Sequence, residues 1–224
     1  METEFWKKRW RTNEVGWHAS VTNRHLERFV STLGPVGGNH TLVPLCGKSL
    51  DMDFLARQGR SVFGIDVSPV ACRSFFEETG RRPTERQTES GKVLEGDGVT
   101  LLCQDLFAIQ PGGLPEIGAC YDRACLIALA PPQRRRYATW LRDVLSVGTP
   151  YLLITVEYPP NQKNGPPFTV PMEEVRELFE ADFDIEVVHR ADIVDEAPKY
   201  REWGVTSLIE TVYTMRRCKR GNDE

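Results

Sequence analysis

Polar and charged side chains cluster at the predicted ends of four strands, where chemistry could take place. These segments are residues 45–49, 66–68, 105–107 and 122–125. In an open α/β sheet, ligands bind beyond the carboxyl ends of the strands, near the switch in strand order. The four segments are therefore predicted to line a ligand site.

The carboxylate of Asp66 predicts a nucleoside ligand. Asp66 ends the second predicted strand, at 61–66, where a carboxylate accepts hydrogen bonds from both hydroxyls of a ribose. The alternative is that it only opens the next helix near its positive end, but Ser68 already supplies a cap there. Asp105 and Leu106, after a later strand, would bracket an adenine by polar contact and by packing.

The segment 45–49 favours S-adenosylmethionine over a dinucleotide. It contains a single glycine, Gly47, whereas the pyrophosphate cradle of NAD or FAD needs several. The sulfonium of S-adenosylmethionine is cationic and therefore suits aromatic faces. Trp6, Trp10 and Trp17 are predicted to fold over such a site as a lid, and an ordinary hydrophobic N-terminal helix explains them equally well.

Arg123 stands beside Asp122 at the end of the predicted strand 117–122. An adjacent charge pair in this place is typical of a functional site. A plain salt bridge between the two residues is the other explanation.

The six cysteines predict reduced thiols rather than a metal site. They include no C-x-x-C pair, and the four histidines include no H-x₃₋₅-H pair, so no metal is expected. The N-terminal sequence METEFWKKRW is charged and lacks the apolar core of a secretory signal. These features together predict a cytoplasmic protein.

Alternating strands and helices are predicted to position these residues. From residue 41 onward, short apolar runs alternate with helical patterns, which is typical of an α/β fold with a doubly wound, mostly parallel sheet of about seven strands. Residues 81–91 are expected to form an exposed loop. We expect a single domain over residues 1–224, with an N-terminal helical cover at 1–40 and an α/β core at 41–216.

The composition excludes several classes of partner. The 224 residues carry 28 Lys and Arg against 32 Asp and Glu, a net charge of −4, whereas general nucleic-acid binding needs a basic surface. The sequence also lacks the run of ~18 apolar residues that a membrane-spanning helix requires. We expect a small-molecule substrate, with neither nucleic acid nor membrane as a partner.

Seven segments carry a family pattern across nearly the whole chain. They are EFWKKRW (4–10), LVPLCGKSLDMDFLARQG (42–59), VFGIDVS (62–68), YDRACLIALAP (121–131), ITVEY (154–158), GPPFTVP (165–171) and WG (203–204). In their order and spacing they resemble the thiopurine S-methyltransferases, most closely the bacterial branch. The resemblance implies a Rossmann-like class I methyltransferase fold, S-adenosyl-L-methionine as methyl donor and S-adenosyl-L-homocysteine as product.

The resemblance also implies which residues form the site. By motif, the residues that fall where the family contacts the cofactor are Trp10, Leu45, Asp66 and Arg123, with Asp105 and Leu106 at the adenine. Trp17 occupies the aromatic position on the substrate side, which is usually Phe. Lys199 and Arg201, in the KYRE before WG, are both candidates for a basic substrate contact. The acid at position 66 is more often Glu in the family, and Asp keeps the charge with one methylene less reach.

The expected function is methyl transfer to the sulfur of a small aromatic or heterocyclic thiol of the thiopurine type, with selenium or tellurium compounds as further acceptors. A thiolate would attack the sulfonium methyl in line, and Arg123 would act catalytically by favouring that thiolate. A catalytically silent nucleoside-binding protein on the same fold and an NAD-dependent oxidoreductase are the alternatives. The family resemblance favours a monomer.

Overall fold

A computed structural model describes residues 3–219 of the chain. The chain divides into two compact units, of which the first ends at Tyr121 and the second begins at Asp122. The single domain expected over residues 1–224 stays a prediction, and its residues 1–2 and 220–224 lie outside the described part.

The first unit contains a six-stranded sheet built around parallel strands. The strands are β1 (His40–Pro44), β2 (Val62–Asp66), β3 (Thr84–Thr88), β4 (Gly91–Gly96), β5 (Val99–Cys103) and β6 (Ile117–Arg123), the last of which runs across the boundary. Their order is β3-β4-β5-β2-β1-β6. The pairs β5–β2, β2–β1 and β1–β6 are parallel, whereas the pairs β3–β4 and β4–β5 at one edge are antiparallel. Every residue of β2 is buried, as expected of a strand covered on both faces.

Four helices of the first unit accompany this sheet. They are α1 (Thr3–Arg11), α2 (Arg24–Phe29), α3 (Asp51–Arg57) and α4 (Pro69–Thr79). The predicted Ser68 cap is present, since its hydroxyl accepts from the N–H of Ala71, and the Asn23 side chain likewise accepts from the first N–H groups of α2. Gly80 caps the C-terminus of helix α4, and its φ of +67° suits a residue without a Cβ.

The second unit contains three antiparallel strands and four helices. The strands are β7 (Pro150–Glu157), β8 (Phe183–Asp192) and β9 (Ile209–Arg217), in the order β7-β9-β8. The helices are α5 (Cys125–Ala128), α6 (Pro131–Val144), α7 (Met172–Phe179) and α8 (Pro198–Glu202). A small buried cluster packs beside the late strands and contains Tyr158, Val194, Val205 and Leu208.

The α/β class is confirmed, but the described residues contain nine strands rather than about seven, and their pairing is mixed. One difference is β3, which occupies part of the segment 81–91 that was expected to be a loop. Its sequence TERQT is polar on both faces, so it lacks the alternation that marks a strand, yet it pairs with β4 at the sheet edge. Within residues 3–219, none of the helices has the length and apolar character needed to span a membrane.

Candidate functional site

Asp66 is a buried carboxylate at the carboxyl end of β2, with 6% of its surface exposed. Its Oδ2 accepts a hydrogen bond from the N–H of Gly47 at 2.9 Å, and its Oδ1 accepts from the N–H of Ser68 at 2.8 Å. Burial raises the pKa of this carboxyl from 3.8 to about 6, although the two N–H groups oppose the shift. The side chain thus joins the loops after β1 and β2 and keeps acceptor capacity for a ligand.

The loop after β1 lies directly against Trp10. Leu45 and Gly47 adopt the left-handed region, with φ of +44° and +54°. A Cβ added at Gly47 would stand 2.8 Å from Cζ2 of Trp10, so the buried indole packs on the loop backbone. The structure therefore brings together Trp10, Leu45 and Asp66, three residues that the family resemblance assigns to the cofactor.

The three tryptophans of the N-terminal segment form one cluster. Trp17 contacts both Trp6 and Trp10 edge to face, with ring centroids 5.3 and 5.8 Å apart. The Arg9 guanidinium lies over the Trp17 ring at 5.1 Å. Since Trp17 is 37% exposed, the cluster presents an aromatic surface beside the loop that Trp10 covers.

Asp105 and Leu106 follow β5, at the place predicted for an adenine. The Asp105 Oδ1 accepts from the N–H of Phe107 at 3.0 Å and so caps the short 3₁₀ turn Leu106–Ala108. Leu106 is buried. The N–H of Gln104 donates to the backbone oxygen of Asp66 at 3.0 Å, which ties this turn to the carboxylate strand.

Two buried thiols lie near Asp66. Burial raises the pKa of the Cys46 thiol well above its usual range, and the Asp66 charge adds to the shift. The pKa of Cys72 is also raised well above its usual range, first by a hydrogen bond with Cys103 and then by burial. Both thiols are therefore neutral at physiological pH and unsuited to act as nucleophiles.

Arg123 ends β6 in the second unit, immediately after Asp122. Asp122 is fully buried and accepts hydrogen bonds from the hydroxyls of Tyr137 and Tyr151, at 2.6 and 2.8 Å. Burial raises the pKa of the Asp122 carboxyl, and the hydrogen bonds from Cys125 and the two tyrosines lower it. Because these groups surround the carboxylate, the expected alternative of a plain Asp122–Arg123 salt bridge does not describe its environment.

The two candidate basic residues before the WG motif have different surroundings. Arg201 pairs with Asp195 at the surface. The Lys199 ammonium lies 5.6 Å from the Trp203 ring centroid, and that of Lys163, which the sequence did not single out, lies 4.5 Å from it.

Tyr200 completes an aromatic wall in the second unit, formed with Tyr158 and Trp203. Its ring centroid is 6.1 Å from that of Tyr158 and 5.2 Å from that of Trp203. Burial raises the pKa of the Tyr200 phenol, and the charge of Arg123 opposes this shift.

A family profile described as thiopurine S-methyltransferase matches residues 1–218. The chain belongs to the thiopurine S-methyltransferase family. Among its curated relatives, the thiopurine S-methyltransferase of Pseudomonas paraeruginosa (strain DSM 24068 / PA7) is 42% identical over 217 residues, which cover 97% of this chain and 100% of the relative. The thiopurine S-methyltransferase of Xanthomonas axonopodis pv. citri (strain 306) is 38% identical over 217 residues, which cover 97% of this chain and 100% of the relative.

A solved structure shares the fold of this thiopurine S-methyltransferase family member. It is the Burkholderia thailandensis 1,6-didemethyltoxoflavin-N1-methyltransferase, with 1,6-didemethyltoxoflavin and S-adenosylhomocysteine bound. The TM-score is 0.64 at 15% identity, and the match covers 97% of this chain and 87% of the other. The comparisons confirm the expected family, the class I methyltransferase fold, an enzymatic methyl transfer and S-adenosylmethionine as cofactor.

The sequence interpretation missed the tyrosine pair that surrounds Asp122. The sequence places Tyr137 at an inward-facing position of a helical pattern and Tyr151 in a nearly all-apolar run, and neither pattern indicates a hydrogen bond to Asp122. A signal was present, since a tyrosine at a core position usually has a buried partner for its hydroxyl. Among residues 3–219, no group of three or more His, Cys, Asp or Glu side chains is arranged to hold a metal ion.

Proposed function

We propose that this chain transfers the methyl group of S-adenosylmethionine to the sulfur of a small aromatic or heterocyclic thiol of the thiopurine type, with selenium or tellurium compounds as further acceptors. The observation that carries the proposal is the buried Asp66 carboxylate beside the loop covered by Trp10. S-adenosylmethionine supplies an electrophilic methyl group on a cationic sulfonium.

The first unit provides five of the six residues that we assign to the cofactor. An ionised carboxylate can accept about four hydrogen bonds at its lone pairs. In Asp66 two of these positions are taken by the N–H groups of Gly47 and Ser68, so the others can accept from ribose hydroxyls. The indole of Trp10 offers an aromatic face that suits a cation. Leu45 shapes the loop backbone, and Asp105 with Leu106 would hold the adenine.

We assign the acceptor to residues that the family pattern names. Arg123 would contact the cofactor and act as the catalytic group that stabilises the acceptor thiolate, because a nearby cation lowers the pKa of a thiol. Trp17 would provide an aromatic contact. Lys199 and Arg201 are both assigned as candidates for the basic contact with the substrate.

We further propose a cytoplasmic monomer that forms a single methyltransferase domain, with 1–40 as the cover and 41–216 as the core, and that does not bind nucleic acid. All six cysteines are free thiols, which supports a reducing compartment. The net charge of −4 supports the absence of nucleic acid as a partner.

Methyl transfer across a panel of acceptors tests the proposal. The wild-type protein is incubated with labelled S-adenosylmethionine and 6-mercaptopurine, thiophenols, alkyl thiols, selenols or tellurite. We expect S-methylated aromatic thiols as the main products. Binding of the cofactor without transfer to any acceptor would instead indicate a catalytically silent binding protein, and binding of NAD in its place would indicate an oxidoreductase.

The variant Arg123→Ala tests the assigned catalytic group. We expect kcat/KM to fall by about tenfold or more for thiols that are protonated at neutral pH, because the thiolate loses a neighbouring cation. Arg123→Lys, which keeps the charge, serves as the matched control and should retain more activity. Unchanged kcat/KM and an unchanged pH profile in Arg123→Ala would remove Arg123 from the mechanism.

A further inference from the structure

Asp122 is a buried carboxylate to which the proposed reaction assigns no chemistry. Its Oδ2 accepts from the hydroxyls of Tyr137 and Tyr151, and its Oδ1 accepts from the N–H of Cys125 at 3.2 Å. Asp122 and Tyr137 are 0% exposed, and Tyr151 is 1% exposed. Since every one of these partners donates, the arrangement is complementary to an ionised carboxylate.

These hydrogen bonds fix the turn that carries Arg123. Asp122 and Arg123 are consecutive residues at the end of β6, so their side chains point to opposite faces of the strand. The next residue, Ala124, has a φ of +78°, a left-handed conformation that costs energy for a residue with a Cβ. The bond from Cys125 N–H to Asp122 closes the turn around Ala124, and α5 begins at Cys125.

The two tyrosines attach this turn to distant parts of the second unit. Tyr137 lies in the middle of α6 and Tyr151 lies near the start of β7, 15 and 29 residues after Asp122. The carboxylate is thereby held between a helix and a strand. A shift of this turn would move Arg123, which directly follows Asp122 on the strand.

We propose that Asp122, held by Tyr137 and Tyr151, is a positioning residue that places Arg123 for stabilising the acceptor thiolate. The inference rests on the proposed S-methyl transfer. The stabilisation of an anion by a guanidinium falls as the two charges move apart, so a turn that shifts would weaken it. In the bound state, a thiol that is already ionised has no proton to lose, whereas the ionised fraction of a weakly acidic thiol, and with it kcat, depends on this placement.

The test compares two thiols of different acidity in the variants Tyr137→Phe and Tyr151→Phe. 4-Nitrothiophenol is ionised at neutral pH, and benzyl mercaptan is protonated. At saturating benzyl mercaptan we expect kcat to fall by about tenfold in either variant, equivalent to a rise of ~1 unit in the pKa of the bound thiol. At saturating 4-nitrothiophenol, which stays ionised when bound, we expect kcat to fall by less than about twofold.

A tyrosine outside this network provides the matched control. The Tyr121 hydroxyl donates to Oδ2 of Asp51 at 2.8 Å, and Tyr121 is fully buried one residue before Asp122 on the same strand. Tyr121→Phe therefore removes a comparable buried hydrogen bond. We expect it to lose a similar amount of stability and to leave the ratio of the kcat values for the two thiols unchanged.

An absorbance titration supplies a second readout that does not depend on turnover. The pKa of thiophenol bound to the complex with S-adenosylhomocysteine should rise by ~1 unit in Tyr137→Phe and stay unchanged in Tyr121→Phe. The positioning role would be overturned if Tyr137→Phe and Tyr151→Phe lowered kcat equally for both thiols. It would also be overturned if Tyr121→Phe changed the ratio of the two kcat values by the same amount. A wild-type protein that methylates neither thiol would contradict the proposed function instead.

Discussion

Asp66 has a buried carboxylate and a proposed role in binding the ribose, and burial opposes the ionisation that this role requires. Burial raises the pKa of its carboxyl from 3.8 to about 6, so the proton is bound more tightly in the folded protein than in the unfolded chain. Between these two values, this group's contribution to stability therefore falls as the pH rises. Above about pH 6 the carboxylate is ionised and able to accept from ribose hydroxyls.

We therefore predict that affinity for S-adenosylmethionine falls as the pH is lowered through about 6. In Asp66→Asn, the affinity should be lower by about tenfold or more at pH 7.5, because hydrogen bonds to a charged acceptor are lost. The variant should also lose the pH dependence near 6. Isothermal titration calorimetry from pH 5 to 8 measures both effects.

Asp51→Asn is the control for this prediction, since Asp51 is another buried carboxylate of the first unit, which accepts from the N–H of Asn23. It should keep the decline in affinity near pH 6. If Asp66→Asn bound the cofactor with wild-type affinity at every pH, the assignment of Asp66 to the ribose would be wrong.

For the candidate site residues, the sequence predicts positions at strand ends, and the structure has Asp66 and Arg123 at the ends of β2 and β6. Asp66 and Arg123 could be placed because parallel strands end at one edge of a sheet. The close packing of Trp10 on Gly47 was not predictable, because it depends on the path of a helix 37 residues earlier in the chain. The ion pair of Arg201 with Asp195 depends likewise on local loop geometry.

At the scale of elements, α1 packs closely against the loop after β1 where Trp10 meets Gly47. Gly47 has a φ of +54°, and a Cβ there would stand 2.8 Å from the Trp10 ring. Gly47→Ala should therefore cost about 1–2 kcal/mol from the left-handed backbone alone. The displaced indole should also weaken cofactor binding by several fold, as measured by calorimetry beside a thermal unfolding curve.

A double-mutant cycle separates the two causes. In the background Trp10→Leu, the clash at position 47 is relieved, so Gly47→Ala should cost less stability than it does in the wild type. Gly80→Ala, at a left-handed glycine with nothing within 4 Å of its added Cβ, controls for the backbone term alone. Strict additivity of Trp10→Leu and Gly47→Ala would mean that the two residues do not constrain each other.

The elements that sequence reasoning placed well are those with strong local signals. Ser68 and Pro69 mark the start of α4, and Gly80 marks its end, so its bounds follow from capping chemistry. Strand β3 has no such signal, because its polar residues form a strand only through pairing with β4 and surface ion pairs such as Arg73–Glu85. An edge strand of this kind depends on its neighbour rather than on its own sequence.

For the molecule as a whole, the six cysteines are distributed as structural thiols rather than as a reactive set. Cys46, Cys72, Cys120 and Cys125 are buried, whereas Cys103 and Cys218 are half-buried.

We predict that brief iodoacetamide treatment of the native protein modifies Cys218 and leaves Cys46 and Cys72 intact. Thiolates are the reacting species, and the pKa values of these two buried thiols are raised. Peptide mass spectrometry measures the modified sites, and guanidinium-unfolded protein, in which all six should react, is the control. The labelled protein should retain its rate of methyl transfer, since the reacting sulfur belongs to the acceptor. Rapid labelling of Cys46 together with loss of methyl transfer would show instead that a thiol of the chain itself takes part in the reaction.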